Sequence, residues 1–373
     1  MGYVAVKGGN EAIEEACRLF AYERIKGSSP PLSVLQIEEQ LYLAVDRIMG
    51  EGGLYAPKLA ALALKQAAGD TFEAAFMLRA FRATQQRLGY SLPFSTEKMR
   101  IIRRISSAFK DVPGGQILGA TSDYTLRLLD FDLLGDNQAR RRAFRERIFS
   151  GLPHDVEIPE TFPKVIDILR REGLLEEALA PEQREESIAD ITRRPLTFPA
   201  PRSASLQALA RGETGGMLAL AYSSMRGYGN IHPTLGELRV GYLPLTVTHP
   251  ESGETRVVGE VKVTEAEVLA RMEGNDGMPK FSLGYGLCFG QNEIKAISMA
   301  ILDRCTRSKD PGSPAEDQEF VLYHTDGIEA MGFCNHWKLP HYVDFLSDLD
   351  RLRKSQELSR TGAREQEAND AAA

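Results

Sequence analysis

Apolar residues between positions 33 and about 150 recur mostly at helical spacing. Ser33 with Gln36 three residues on is a capping-box pair, and Ile37, Leu41, Ala44, Val45 and Ile48 then form a stripe that stops at Gly50 and Gly52-Gly53. Pro57 suits the first turn of a second helix running to Leu64, where a helix leaves its N–H groups unpaired anyway. A third helix opens at Asp70, with Glu73 in its first turn and Phe72, Phe76, Phe81 and Leu88 on its apolar side. Residues 98–105 read as a basic helix leading to the Pro113-Gly114-Gly115 turn. Residues 123–131, where charges alternate with apolar side chains, read as a helix lining a cleft.

The pattern weakens over 132–200. Arg140, Arg141, Arg142, Arg145 and Arg147 form a charge run whose default place is a solvated face, and Pro153, Pro159 and Pro163 punctuate a linker. A helix follows over 165–175, ending near Gly173, and the proline-bearing stretch 193–201 marks a boundary. Beyond it the element types mix. Helices are expected over 206–211 and 217–225, and strands over 238–242 and 245–247. A turn over 250–255 leads to a hairpin partner over 257–263. Thr264 with Glu267 reads as another helix start, 281–289 as a strand, and 292–304 as a helix with Ile294, Ile297 and Ile301 on one side. Gly284, Gly286 and Gly290 miss the dinucleotide-binding spacing, so tight packing or a turn accounts for them more simply.

Composition narrows the class. At 373 residues, 43% hydrophobic and 26% charged, the chain is of ordinary globular type. It shows no apolar run of membrane-spanning length, and its opening residues lack both a secretion pattern and, with Val6 where Ser or Thr is needed, a myristoylation pattern. The expected compartment is the cytoplasm. Cys17, Cys288, Cys305 and Cys334 are scattered, which argues against an iron–sulfur cluster, a closed structural zinc site or a disulfide framework. A net charge of −7 argues against nucleic acid as a partner, so any polyanion must be held by a local cluster of Lys and Arg.

The stretch 332–345 concentrates unusual chemistry: Cys334, the only tryptophan, Trp337, and two of the six histidines, His336 and His341. Two residues five apart share neither a helix face nor a strand face, and Pro340 disfavours helix at Leu339. A loop or turn is therefore expected, one able to bring the two imidazoles together as ligands for zinc or a similar ion. Two ligands are too few, so Cys334, Asp344, His324, a substrate or another chain must complete the set. The plainer alternative is polar side chains beside an aromatic cluster. The resulting expectation is an α+β protein. A mainly helical domain covers 1–150, a variable linker 151–200, a mixed α/β domain with a β-hairpin and the metal-binding loop 201–350, and a frayed or disordered tail 351–373.

Several blocks, taken in order, resemble the I subunit family of the bacterial carbon–phosphorus lyase core complex. They are Val4-Ala5-Val6-Lys7-Gly8-Gly9, Leu43-Ala44-Val45-Asp46-Arg47, Ala63-Leu64-Lys65-Gln66-Ala67, 110–116, Arg226-Gly227-Tyr228-Gly229 with His232-Pro233, Gly284-Tyr285-Gly286 and 338–345. Leu126 departs from the pattern where the family commonly has histidine, so no role is assigned there. The resemblance implies a transferase of organic phosphonate catabolism that replaces the adenine of ATP by a phosphonate. The product is alpha-D-ribose 1-methylphosphonate 5-triphosphate, and a nucleosidase activity appears when the subunit is alone. It implies the G, H and J subunits of the core and the L subunit as partners, ATP and alkylphosphonates as substrates, magnesium with the ATP, and zinc shared with a partner on His336 and His341. The scattered cysteines fit the I role and not that of the radical J subunit.

Such chemistry needs a proton donor at the purine, a carboxylate near the anomeric carbon and cations on the triphosphate. The anion-binding candidates are Lys110, Arg127 and Arg226 with the backbone of Gly114 and Gly115, and the carboxylate candidates are Asp111, Asp123 and Glu237. Two other readings compete: a non-catalytic scaffold subunit that donates metal ligands to a partner's site, and a self-contained metallohydrolase.

Overall fold

The computed structural model describes residues 9–135, 137–151, 159, 161–176, 188–226, 232–274 and 277–372, with Glu273 and 365–372 described by backbone alone. The blocks at 4–8 and 227–229 and the linker residue Pro153 lie outside the described residues. The chain divides into two compact units, one of Met1–Pro31 with Ile328–Ala373 and one of Leu32–Gly327. Among the described residues, thirteen helices accompany one four-stranded antiparallel sheet, an α+β fold.

Helix α1 (Asn10–Glu23) begins the first unit. The second unit opens with four helices where the sequence suggests three: a break at Leu41, with φ −111°, splits the stripe from Ile37 to Ile48 between two helices, and the helix capped by Asp70 ends at Thr84, short of Leu88, which is exposed. For α2 (Val34–Gln40), Ser33 Oγ accepts from the Gln36 N–H at 3.1 Å while the Gln36 side chain accepts from the Ser33 N–H at 2.8 Å, the full capping box. Helix α3 (Tyr42–Gly52) stops at Gly53, whose φ of 66° is a left-handed conformation that glycine adopts without strain. Pro57 stands in the first turn of α4 (Pro57–Gln66). Asp70 caps α5 (Thr71–Thr84), accepting from the N–H groups of Phe72 and Glu73 at 2.9 and 3.2 Å.

Two expected helices are strands. Residues 98–105 hold β1 (Arg100–Ile105), not a basic helix: Ile101, Ile102 and Ile105 favour the pleated surface, and Arg103 and Arg104 are buried rather than solvated. Thr264 and Glu267 lie inside β3 (Thr255–Glu273), because Glu265 and Glu267 alternate with Thr264, Ala266 and Val268, a period of two that overrides the local cap signal. The stretch 123–131 is not helical either. It is an exposed loop in which Arg127 has a φ of 54°. The arginine run forms α6 (Gln138–Ser150), which buries nothing, as a solvated face should. Helix α7 (Ile166–Arg171) gives way to Gly173 at φ 70°.

After α8 (Arg202–Ala210) and α9 (Thr214–Met225) come β2 (Thr234–Thr248), β3 (Thr255–Glu273) and β4 (Pro279–Phe289), giving the sheet order β1-β2-β3-β4. One face carries Leu238, Ala266, Val268 and Cys288 into the main core, against Ala296, Met299 and Ala300 of α10 (Glu293–Cys305). A Cβ on Gly284 would stand 2.0 Å from the Ala300 carbonyl oxygen, and one on Gly286 2.1 Å from that of Ala296. The glycines let helix and strand backbones touch, as the packing explanation expects. Helix α11 (Gln318–His324) ends this unit; α12 (Gly327–His336) and α13 (Tyr342–Ala372), the latter helical through most of the expected tail, follow it. Among the described residues no helix is long and apolar enough to cross a membrane.

Candidate functional site

Between α12 and α13 the chain reverses over 337–341. The N–H groups of Trp337, Lys338 and Leu339 donate three residues back, to the carbonyls of Cys334, Asn335 and His336, at 3.2, 3.1 and 3.0 Å. This tightening, followed by Pro340, closes the helix and turns His341 back toward His336. The two Nε2 atoms come within 2.9 Å, with the rings nearly perpendicular. His341 Nδ1 donates to the Leu339 carbonyl at 2.6 Å, the orienting hydrogen bond seen in metal-binding imidazoles, which fixes the proton there and leaves His341 Nε2 as the lone-pair nitrogen that accepts from His336 Nε2–H.

Nitrogens about 2.0–2.1 Å from one tetrahedral zinc ion stand ~3.3 Å apart, so a slight spreading of this pair would seat one. Among the described residues, the His336 Nδ1 on the far side of the ring is buried without a hydrogen-bond partner. Among the described residues no group of three metal-ligating side chains forms. Cys334 and Asp344 are exposed, while His324 directs Nδ1 to the Phe320 carbonyl at 2.7 Å. The pair thus fits a shared metal and is incomplete alone. Around it Phe333, Trp337, Tyr342, Val343 and Phe345 are 63–69% exposed, a concentration of apolar surface of the kind that marks a protein contact.

The residues expected to bind an anion are spread over three segments: Lys110 shares the loop after β1 with Gly114 and Gly115, Arg127 lies on another loop, and Arg226 ends a helix. Lys110, on the loop after β1, is exposed, and Arg127 is in the exposed loop before α6. Arg226, at the end of α9, donates to the Tyr222 hydroxyl at 2.8 Å. Gly114 and Gly115 both have positive φ, 82° and 79°, but the Gly115 N–H donates to the Val112 carbonyl at 2.9 Å and the Gly115 carbonyl accepts from Arg104 at 3.0 Å. The turn is largely occupied by its own hydrogen bonds, and among the described residues the Gly114 N–H is the donor it leaves over.

Of the carboxylates, Asp111 is exposed, and Asp123 pairs with Arg103, which also meets Glu293 at 2.9 Å. Glu237 belongs to a buried charged layer on the sheet face opposite α10. One oxygen pairs with Arg104 and lies 3.0 Å from Arg239, and the other accepts the Val165 N–H at 3.1 Å. Both oxygens are therefore committed to structure. In the same layer Lys164 lies 2.6 Å from Glu265 and 2.8 Å from Glu267. Glu265 also accepts from Thr96 and the Tyr285 hydroxyl, at 2.7 and 2.9 Å.

Burial, only partly offset by Lys164 and reinforced by Glu265, pushes the Glu267 carboxyl up to about 7. The two carboxylates together raise Lys164, although burial alone would lower it. Lys164 is thereby held in its charged form, while Glu267 keeps its proton up toward neutral pH. A carboxyl raised in the fold contributes stability below its unfolded pKa and loses it as pH climbs through the folded value. Glu267→Gln keeps the neutral shape, so its melting temperature should gain on the parent's by roughly 5 °C between about pH 5 and pH 8, measured by calorimetry.

Sequence reasoning missed a cavity of about 630 Å³ in the larger unit, lined by the end of β4, by β3 and by the helices before β1. Tyr55, Phe94 and Phe289 supply aromatic walls, Arg82 and Arg211 line it, and Gly259 of β3 faces it with open space where a Cβ would stand. Its residues are contributed from far apart in sequence, so no local motif announces it. The one available signal was Arg82 on a helix otherwise read by its apolar side.

A family model described as Bacterial phosphonate metabolism protein (PhnI) matches residues 2–359. HtxH of Stutzerimonas stutzeri, provisionally named a C-P lyase subunit protein, is 53% identical over 364 residues, 96% of each chain. The alpha-D-ribose 1-methylphosphonate 5-triphosphate synthase subunit PhnI of Rhizobium meliloti (strain 1021) is 45% identical over 374 residues, 97% of this chain and 98% of its own. The subunit of the same name from Escherichia coli (strain K12) is 47% identical over 362 residues, 95% of this chain and 98% of its own.

Proposed function

Because this chain belongs to the bacterial phosphonate metabolism (PhnI) family, we propose that it is the I subunit of a carbon–phosphorus lyase core complex and transfers the ribose 5-triphosphate of ATP from adenine to a phosphonate. The observation that carries this reading is near-half identity, along almost the whole chain, to two proteins named as subunits of the corresponding synthase. In the reaction the bond between the anomeric carbon and the purine nitrogen breaks, and a phosphonate oxygen bonds to that carbon. The base leaves with the electron pair and takes up a proton. In the subunit alone, water replaces the phosphonate and the chain acts as a nucleosidase.

His336 and His341 would hold two positions of a zinc ion whose remaining ligands come from a neighbouring subunit, and such an ion supplies an electrophilic centre. Their incompleteness and the apolar side chains around them support assembly with G, H, J and L partners. Magnesium accompanies the triphosphate. Lys110, Arg127, Arg226 and the Gly114 N–H stay candidates for contact with its phosphates, while Glu237, locked in ion pairs, is assigned to structure.

The engagement of Asp123 and Glu237 with arginines favours a second reading, in which the chain is a scaffold lending metal ligands to a partner's site. The discriminating experiment is chromatographic assay of adenine in incubations of the purified chain with ATP. Adenine release that follows the chain through successive purification steps, at a rate above the uncatalysed one by orders of magnitude, is expected. Release that appears only when partner subunits are added would support the scaffold.

A further inference from the structure

Arg82 is a half-buried cation at the wall of the 630 Å³ cavity, within the size range of small-molecule sites. One of its terminal nitrogens donates to the Gly53 carbonyl at 3.0 Å, and among the described residues no carboxylate pairs with it. The acid that acts on it, Asp190, is already bound by Arg87, Thr192 and Tyr90. Burial first, then the neighbouring guanidiniums of Arg79, Arg211 and Arg87, pull its pKa below the usual arginine range. Arg79 and Arg211 meet Asp326 and Arg87 meets Asp190, whereas Arg82 has no carboxylate among the described residues; beside an apolar hollow such a cation is stabilised by an incoming anion, and a guanidinium suits phosphate oxygens in particular.

The rest of the wall defines what the anion is attached to. Tyr55 and Phe289, with ring centroids 5.7 Å apart at 60°, line the cavity together with Phe94, so its wall carries aromatic surface suited to an aromatic group. Beyond the last pair of β3 with β4, Val263 with Phe289, β3 continues past the end of its neighbour, and Gly259 lies on that continuation. Its missing side chain keeps the hollow open on the sheet side.

We infer that this cavity is the nucleotide site, taking the base against Tyr55, Phe94 and Phe289 and a phosphate against Arg82. The assignment rests on the ribosyl-transfer reading and gives it a location that none of Lys110, Arg127 or Arg226 supplies. Both substitutions that test it act within the larger unit. Gly259→Phe fills the hollow from a strand position where the added atoms meet open space and aromatic residues are favoured. Arg82→Gln removes the cation, and Arg82→Lys restores the charge without the fork.

Isothermal titration of the full-length chain with ATP, adenosine, tripolyphosphate and methylphosphonate reads the outcome. Gly259→Phe should weaken both ATP and adenosine at least ~10-fold, with an unchanged melting temperature. Arg82→Gln should weaken ATP and tripolyphosphate ~10- to 100-fold, spare adenosine, and recover partly in Arg82→Lys. If Arg82→Gln does not fold, Gly259→Phe decides alone. ATP binding that is unchanged in Gly259→Phe, or that methylphosphonate displaces and adenosine does not, overturns the assignment. A parent chain that neither binds ATP nor releases adenine overturns the ribosyl-transfer reading instead, and the site with it.

Discussion

Glu237→Ala should leave little natively folded protein at physiological temperature. The carboxylate lies between two guanidiniums that are themselves almost wholly buried, Arg104 and Arg239. Arg104 also donates to the carbonyls of Pro113, Gly115 and Pro163, and Arg239 to that of Phe162 at 2.6 Å. Those bonds place the cations but do not neutralise them. Removing the carboxylate that both guanidiniums meet leaves two buried positive charges without it, and breaking a buried pair costs about 3–5 kcal/mol, a large part of a typical domain's stability. Glu237→Gln, which retains an acceptor for one arginine, should lose less. Asp123→Ala, whose side chain is 43% exposed, should cost under ~1 kcal/mol by comparison. Urea unfolding of the three variants checks the order. A Glu237→Ala protein that melts like the parent yet releases no adenine would instead make Glu237 the carboxylate of the reaction.

The same layer shows where sequence reasoning stops. Caps and breakers act through neighbours in the chain, so Ser33, Pro57 and Asp70 could be read directly, and each is used as expected. The bend at 337–341 was legible for a similar reason: an odd spacing, a proline and two imidazoles leave few local solutions. Arg103 and Arg104 were not legible. A basic stretch is normally solvated, and only the distant Asp123, Glu293 and Glu237 make its burial tolerable. Thr264 and Glu267 imitated a helix start because the cap signal is four residues long, whereas the alternation that contradicts it takes longer to emerge.

The candidate site divides along the same line. His336 and His341 carry their chemistry in their names and spacing. The cavity wall, by contrast, is made of Tyr55, Arg82, Gly259 and Phe289, ordinary residues that acquire a joint meaning only when β3 and β4 pass the ends of α3 and α5. The glycines at 284 and 286 fall between these cases. Their sequence allowed a packing role without saying against what, and the carbonyls of Ala296 and Ala300 supply the answer.

The second large effect concerns the two histidines, and it bears on the central claim, that one chain carries two separable devices: a body that handles ATP and a bend that lends metal ligands. His336 and His341 contribute two nitrogens and no more, so neither alone should retain a tightly bound ion. In the complex reconstituted with partner subunits, His336→Ala and His341→Ala should each lower bound zinc by at least ~10-fold, since loss of even an outer contact costs 10- to 100-fold in metal affinity. Both side chains are only partly buried, so the fold itself should persist. The direct measurement is zinc content by atomic emission alongside adenine release from ATP, in the parent and in the double variant. The prediction is that zinc is lost while adenine release by the subunit stays within about twofold of the parent, the affinity for ATP being set elsewhere. Adenine release that disappears together with the zinc would contradict the separation and make the chain a metallohydrolase.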